Sequence, residues 1–236
     1  MDAKAIALIG VWGGLLALER RAFLQAMFSR PLVAAIGTGL LLDDVPSGVG
    51  CGLVLELFFL GGASLGGRHP DHELVAAVAA SASAAAAARV SGGPSTPAMW
   101  AVGLMLALPL ARAGRWVEHR LDARAMRYQG RAVAFTDSGS FRRVARQNLR
   151  AMWPHFALFG LASAGAAALG RPLQLALAEL PTQALRGLAY AYFAMGVAAA
   201  AVALQQSRSR FAGRWGALAG TVASALAVWR LLESAP

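Results

Sequence analysis

The sequence has few of the charged residues that soluble proteins carry. Only 14% of its 236 residues are charged and 57% are apolar, whereas soluble domains usually have roughly 25% charged residues. A disordered chain is excluded as well, because such a chain is poor in apolar residues and rich in charge. The composition is typical of a membrane protein, and we predict an all-α fold that crosses the bilayer several times.

Cysteine and histidine are also scarce. The single cysteine, Cys51, excludes an internal disulfide and every zinc or iron–sulfur site built from several cysteines. Four histidines leave little room for a metalloenzyme. The sequence shows no Ser/His/Asp arrangement, phosphate-binding loop or paired carboxylates at catalytic spacing. We expect no catalytic residue, no metal site and no cofactor, and the residues leave open whether the chain belongs to an enzyme complex.

Long, nearly uncharged runs are abundant. A membrane-spanning helix needs about 20 predominantly apolar residues. The first run lacks a small-residue cleavage site and continues with helical spacing from Ala22 to Phe28, so we expect a retained helix instead of a signal peptide. In total we expect about six to nine membrane segments. The runs are residues 5–18, 31–42, 45–67, 74–88, 97–111, 151–170, 187–207 and 215–229.

Three pieces in the first half, residues 31–42, 45–67 and 74–90, are short or interrupted by glycine and proline. Backbone groups in hydrocarbon must bond internally, so such pieces are tolerated only inside protein or beside a water-filled cavity. We therefore predict broken helices and re-entrant hairpins, which is where transporters place their binding sites. Ordinary short helices in a thin, tilted bundle are the alternative.

Positive charge is concentrated in the middle of the chain. Residues 112–150 hold ten arginines and three acidic residues, which is a net charge of +7 out of +10. Such segments stay on the cytoplasmic side. Arg120, Arg124, Arg127 and Arg131 share one helical face, which can turn towards lipid phosphates at the membrane surface. The segment is either a positive-inside anchor without a specific partner or a docking surface for a soluble cytosolic protein. After a predicted turn at 136–140, further arginines lead into the next span. Nothing resembles a nucleic-acid-binding module, so we expect no nucleic acid partner.

Glu56 is the most unusual charged residue. Eleven uncharged residues lie on each side of it, at 45–55 and 57–67. An ionised carboxylate at the bilayer centre costs about 3 kcal/mol, so we predict that Glu56 faces a polar cavity. The surrounding glycines allow close backbone approach, and a carboxylate beside free backbone groups suits a neutral polyhydroxylated ligand. The alternative is that Glu56 only caps or pairs within the bundle.

Two acidic loops are best explained by local structure, namely helix capping and turn formation. Residues 69–73, His-Pro-Asp-His-Glu, look like a metal cluster, but Pro70 breaks any shared helical face. We expect Asp71 or Glu73 to cap the following helix instead. The Asp43–Asp44 pair predicts a turn, and Asp44 is a candidate for tethering a re-entrant element.

Several motifs together resemble one family. An Arg-Pro-Leu start, a Gly–Asp turn, a glycine-rich stretch with Leu-Glu-Leu and a Pro-Asp before an alanine-rich helix occur in this order over residues 28–115. They are similar to the IIC component of mannose-family (mannose–fructose–sorbose) phosphotransferase systems. The residues that carry the resemblance are Ser29–Val33, Gly39–Asp44, Gly48, Leu55–Leu57 with Leu60-Gly61, Pro70-Asp71, and Ala107–Ala111 followed by Gly114.

The resemblance implies a function and a set of partners. It implies a permease subunit of a phosphoenolpyruvate-dependent sugar phosphotransferase system, in a bacterial cytoplasmic (inner) membrane, that binds a hexose-like sugar and moves it by an elevator-like motion. A IID membrane subunit and the cytosolic IIB and IIA phosphocarriers are the implied partners, in an oligomer, and the IIC subunit carries no phosphorylated residue. A non-transporting anchor or regulatory subunit derived from the same family is the alternative.

Residues of the sugar site follow from the same resemblance. Matched by position, Glu56 is a sugar-pocket residue, and Gly61, Gly62, Ser64 and Asp71 belong to nearby elements. The family commonly has an asparagine where this chain has serine at 64 or leucine at 65. We divide the chain into an N-terminal helix (1–30), a substrate-carrying core (31–111), a basic cytoplasmic segment (112–150) and C-terminal membrane helices (151–236).

Overall fold

The computed structural model describes residues 2–21, 24–60, 71–137 and 139–206. All regular structure within these ranges is helical, which confirms the predicted all-α class. The helices are α1 (Ala3–Arg21), α2 (Pro31–Leu41), α3 (Val45–Phe59), α4 (Glu73–Ser91), α5 (Pro97–Asp137), α6 (Phe141–Ala168), α7 (Gly170–Ala178) and α8 (Thr182–Gln206). The predicted span at 215–229 lies outside the described residues.

Four stretches are long and apolar enough to cross a membrane, namely α4, most of α5, α6 with α7, and most of α8. The chain is therefore a multi-pass membrane protein, as predicted. Helices α2 and α3 have 11 and 15 residues, about 16 and 22 Å at 1.5 Å per residue, and are shorter than the roughly 30 Å hydrocarbon core. They pack against each other as an antiparallel hairpin joined by a turn at 42–44.

Helix α4 forms the centre of the bundle. Every residue from 74 to 88 is buried, and α1, α2, α3, α5, α6 and α7 all pack against it. Its alanines and serines allow this because small side chains let helix backbones approach closely. At Gly103 of α5, a Cβ atom would lie only 2.7 Å from the Ala80 carbonyl oxygen. The alanine-rich run is therefore the best-covered part of the molecule.

Glycines also set the contact between α1 and α6. A Cβ atom on Gly10 would lie 3.2 Å from the Gly160 carbonyl oxygen, and one on Gly14 would lie 2.9 Å from the Phe156 carbonyl oxygen. Gly10 and Gly14 are four residues apart and share one face, as in the small-xxx-small pattern of membrane helices. Helix α1 therefore runs antiparallel along the apolar half of α6.

Helix α5 is far longer than the apolar run that predicted it. Its 41 residues, about 60 Å in length, continue without interruption through Ala111 into the basic segment. The predicted turn at 136–140 is confirmed, although Thr136 and Asp137 still belong to α5. Gly139 has φ +66° and accepts the left-handed conformation that the reversal requires. We call residues 112–137 and 139–150, which form the two arms beside this turn, the basic hairpin.

The N-terminal helix is shorter than the helical spacing suggested. Helix α1 ends at Arg21, and the non-glycine residues Leu24, Gln25 and Met27 have positive φ. The expected helical continuation is therefore wrong over residues 24–28, and Ala22 and Phe23 lie outside the described residues. The Glu19 carboxylate accepts a hydrogen bond of 2.9 Å from the Ser29 backbone N–H, which holds the residues before α2 against the end of α1.

The bundle has two distinct ends. At one end, α1 stops, α2 and α4 begin, and the basic hairpin leaves the bundle; we call this the hairpin end. At the other end lie the Asp43–Asp44 turn and the start of α7, where Gly170 packs on Ala86. The short helix α7 was not predicted from the sequence; its Leu173 and Leu177 are buried.

Candidate functional site

Glu56 lies in the last turn of α3, at the hairpin end. Its Oε1 atom accepts a hydrogen bond from Arg30 Nε at 3.0 Å and is also paired with Arg30 Nη2. Its Oε2 atom accepts one from the Leu32 backbone N–H at 3.2 Å. The sequence placed Glu56 in the middle of a long uncharged run, but α3 ends at Phe59. The carboxylate therefore lies beside a helix end and not in the middle of a span.

The beginning of α2 provides the other half of this arrangement. Pro31 occupies the first helical position, where its missing N–H is not needed. Leu32 follows it, so the Glu56 carboxylate takes one of the unsatisfied N–H groups at the positive end of the helix dipole. The Glu56 side chain is 19% exposed. Since each carboxylate oxygen has about two acceptor positions, Oε2 has about one left for a further donor.

The beginning of α4 is held by His72, which is 1% exposed. Its backbone N–H donates to the Ala111 carbonyl at 3.0 Å, and its Nδ1 atom accepts from the Val75 N–H at 3.3 Å. The expectation that Asp71 or Glu73 caps α4 is therefore wrong, because His72 does. Burial, with the Arg20 charge as a smaller cause, lowers the pKa of His72 well below its usual value, so the ring stays neutral and its nitrogen accepts.

Asp71 points towards α5, where its Oδ1 atom lies 3.2 Å from Arg115 Nη1. Glu73 is half-buried and interacts electrostatically with Arg20, Arg30 and Glu56. The hairpin end thus gathers several charged side chains around the start of α2 and α4. The predicted site residues Gly61, Gly62 and Ser64 lie outside the described residues.

A second charged cluster joins α1 to the base of the basic hairpin. Glu118 is 2% exposed, and its Oε1 atom lies 2.9 Å from Arg21 Nε and 3.4 Å from Arg20 Nη1. Asp122 lies one turn further along α5. Its Oδ2 atom accepts a hydrogen bond from Arg21 Nη2 at 2.8 Å, and its Oδ1 atom lies 3.6 Å from His155 Nε2. This cluster was not predicted from the sequence, because its α1 and α5 partners are about 100 residues apart and each looks like a surface charge.

The opposite end carries the turn that the acidic pair predicted. Asp44 caps α3 by accepting from the Ser47 N–H at 3.3 Å and from its hydroxyl at 2.7 Å. The Ser95 hydroxyl also donates to Asp44, at 2.9 Å. Asp44 therefore tethers the α2–α3 hairpin to the segment before α5, as expected for a re-entrant element. Asp43 forms an exposed ion pair of 3.3 Å with Arg89.

The four arginines predicted to share a face of α5 are exposed. The guanidinium of Arg120 lies 3.6 Å above the Trp116 ring, in a cation–π contact. On the neighbouring face, Leu121 and Ala132 are buried, so this part of α5 is amphipathic. Among the described residues, no group of three or more His, Cys, Asp and Glu side chains is arranged to hold a metal ion.

Comparison with known proteins identifies one matching family and two solved structures with a similar fold. The family described as the sorbose-specific IIC component of the phosphotransferase system matches residues 4–210. A solved structure described as a membrane protein is similar with a TM-score of 0.70 and 20% identity, covering 99% of this chain and 94% of that one. A cryo-EM structure of the mannose transporter ManYZ with microcin E492 (MceA) is similar with a TM-score of 0.61 and 18% identity, covering 98% and 96%. No curated protein matches the chain. At these identities, the structural likenesses show the fold alone.

Proposed function

The chain belongs to the family of sorbose-specific IIC components of the phosphotransferase system, and we propose that it binds a hexose-like sugar beside Glu56 and carries it across the membrane. Proteins of this family are the membrane permease components of the system and work with its other components. The family resemblance noted in the sequence is thereby confirmed. We further propose the class of sugar, the position of its site and the individual partners.

The observation that carries the proposal is the state of the Glu56 carboxylate. Arg30 and the Leu32 N–H hold it in one orientation, and it is partly exposed with about one acceptor position left. A sugar hydroxyl donates well to an oriented carboxylate, and such charge-assisted hydrogen bonds are roughly twice as strong as neutral ones. Glu56 is therefore suited to bind a neutral hydroxylated ligand without a large rearrangement.

The remaining site residues are proposed from the family resemblance. Gly61, Gly62 and Ser64 would provide backbone and hydroxyl groups near the sugar, and Asp71 would close the site from the start of α4. The ion pair between Asp71 and Arg115 supports a positioning role for Asp71, because it holds the residues just before α4 against α5.

We propose a IID membrane subunit and the cytosolic IIB and IIA phosphocarriers as partners, in a bacterial cytoplasmic membrane. The sugar would be phosphorylated by IIB after it reaches the inner face. The basic hairpin would lie on that face, because segments rich in arginine are retained in the cytoplasm. Its exposed residues Arg120, Arg124, Arg127 and Arg131 would contact anionic lipids or a phosphocarrier.

Substitution of Glu56 tests the site. We expect Glu56→Gln to weaken sugar binding by about 10-fold to 100-fold, since a hydrogen bond to a charged group contributes about 1.5–3 kcal/mol. The measurement is equilibrium binding of sorbose and mannose to the purified chain with its membrane partner. Arg30→Gln breaks the same ion pair but keeps the carboxylate, so its loss of affinity should be smaller. Glu179→Gln, at an exposed site beyond α7, is the control for charge removal.

Unchanged sugar affinity in Glu56→Gln would remove Glu56 from the site. Equal losses in Glu56→Gln and Arg30→Gln would mean that the pair acts only by holding α2 and α3 together. Transport itself is tested by phosphoenolpyruvate-dependent uptake of the same sugars into vesicles with and without the chain. Absence of uptake in the presence of all partners would favour the alternative of a non-transporting anchor or regulatory subunit.

A further inference from the structure

An apolar groove with two arginines at its edge lies at the hairpin end. It has a volume of about 750 Å³ and is formed by the end of α1, the middle of the hairpin arm of α5 and the first half of α6. Its lining includes Leu18, Tyr128, Arg146, Leu149, Arg150 and Trp153. None of them belongs to the proposed sugar site.

The two arginines have no partner of opposite charge within the part of the chain that the structure describes. Arg146 and Arg150 are one helical turn apart on α6, so their guanidinium groups share a face, and both are exposed. Two acidic residues of α5, Glu118 and Asp122, are engaged by arginines of α1. The groove therefore presents two positive charges that an occupant has to neutralise.

The walls of the groove are apolar and uncovered. Leu149 is 66% exposed and Trp153 is 65% exposed. Both lie where the basic part of α6 passes into its apolar part, which starts near residue 151. Arginine and tryptophan are enriched at this level in membrane proteins, because the headgroup region of the bilayer is polar on one side and apolar on the other. The position of the groove thus matches the inner boundary of the bilayer.

We propose that this groove binds an anionic phospholipid. The phosphate group would be held by Arg146 and Arg150, since guanidinium groups bind phosphate oxygens through two parallel hydrogen bonds. The acyl chains would cover Leu149 and Trp153. Basic pockets between membrane helices on the cytoplasmic side recognise anionic headgroups for the same reason. A zwitterionic lipid would fill the apolar wall but would leave the two guanidinium charges uncompensated.

The experiment measures lipid binding to the full chain. The chain is purified in detergent micelles and titrated with phosphatidylglycerol or with phosphatidylcholine, and bound lipid is counted by native mass spectrometry. We expect wild type to prefer phosphatidylglycerol, and Arg146→Gln with Arg150→Gln to weaken its binding by about 30-fold, because each arginine near an anionic lipid contributes about fivefold. The matched control is Arg171→Gln with Arg186→Gln, two exposed arginines near the start of α7 and α8.

The outcomes are distinct. Loss of phosphatidylglycerol in the groove variant alone, with an unchanged unfolding temperature, supports the site. Equal binding of both lipids by wild type, or an equal loss in the control variant, overturns it, because recognition would then be absent or would reflect total charge. If the groove variant instead weakens association with the partner membrane subunit in lipid-free micelles, the groove is a protein interface and the proposal fails. The test needs no sugar, so it is independent of the proposed transport function.

Discussion

Helix α4 and the basic hairpin differ in burial and in charge, although they belong to one small membrane protein. Every residue of α4 from 74 to 88 is buried by other helices of the chain, and none of them is charged. In the hairpin, nine of the ten arginines are exposed, together with large apolar side chains such as Met126 at 69% and Phe141 at 80%. The contacts of α4 are complete within the chain, whereas the hairpin presents both charge and apolar surface to something outside it.

A single helix connects the two regions. The first part of α5 packs Ala101, Leu104 and Ala107 against the core with at most 1% exposure, and the same helix then continues as one arm of the hairpin. The α1 arginines bind that arm at Glu118 and Asp122. The hairpin arm and the part of α5 that covers α4 therefore belong to one continuous helix.

The largest expected difference between the two regions is in chemical accessibility. Gln129 is exposed on the hairpin, and Gln129→Cys should react with a membrane-impermeant maleimide in inside-out vesicles but not in intact cells. The native Cys51 is 0% exposed, so wild type should remain unlabelled and serves as the control. Strong labelling of Gln129→Cys in intact cells would place the hairpin outside the cell and reverse the proposed orientation.

The next largest effect is expected from a substitution in the ionic cluster at the base of the hairpin. Glu118→Gln leaves Arg20 and Arg21 without their shared buried carboxylate. Removing one partner of a buried ion pair costs roughly 3–5 kcal/mol; we expect about 2 kcal/mol here, because the Arg21 side chain is 33% exposed. The free energy of unfolding in detergent micelles, from denaturant titration, is the measurement.

The control for this cluster is at the opposite end of the bundle. Asp43→Asn breaks an ion pair whose side chains are 84% and 44% exposed, and asparagine tolerates the positive φ of this position. Its effect should be about 0.5 kcal/mol or less, as for most surface pairs. Equal losses in both variants would show that burial does not distinguish the two pairs.

A further comparison places the same substitution at two positions of α5, where we expect effects of opposite sign. Gly103 faces α4, and Gly103→Ala should lower the free energy of unfolding by about 1–3 kcal/mol, because the added Cβ lies 2.7 Å from a backbone oxygen. Gly130 lies in the hairpin with nothing within 4 Å of a Cβ atom. Gly130→Ala should raise stability by up to about 1 kcal/mol, because alanine is the better helix former. Opposite signs in denaturant titration are the expected result; destabilisation by both substitutions would contradict the assigned packing.

Much of the fold could be predicted from local features. The uncharged runs at 31–42 and 74–88 became α2 and α4 nearly residue for residue, and the two predicted turns formed at Asp43–Asp44 and near Gly139. These features are local, because hydropathy decides which segments enter lipid and because turn residues act on their own neighbours. The continuation of α5 beyond Ala111 was missed, since a change from apolar to amphipathic composition does not end a helix.

The contacts of Glu56 and His72 could be predicted only in part from the sequence. Glu56 was recognised from its isolation in an apolar run, but its pairing with Arg30 and the Leu32 N–H was left as one alternative. His72 was overlooked as a cap because its neighbour Asp71 is the better N-cap former by residue type. Which of several polar residues makes a cap depends on where the other helices place their surfaces, here α5 and α6.

The amino-acid sequence by itself determined that this chain is helical, crosses a membrane several times and belongs to the family of sorbose-specific IIC components. Lipid imposes the first two properties, because a backbone without water must satisfy its hydrogen bonds within helices. Only the tertiary structure decided that α4 is central, that Glu118 is buried between two arginines, and that an uncovered apolar groove lies beside Arg146 and Arg150. Each of these depends on residues far apart in the chain, whose approach is set by the packing of whole helices.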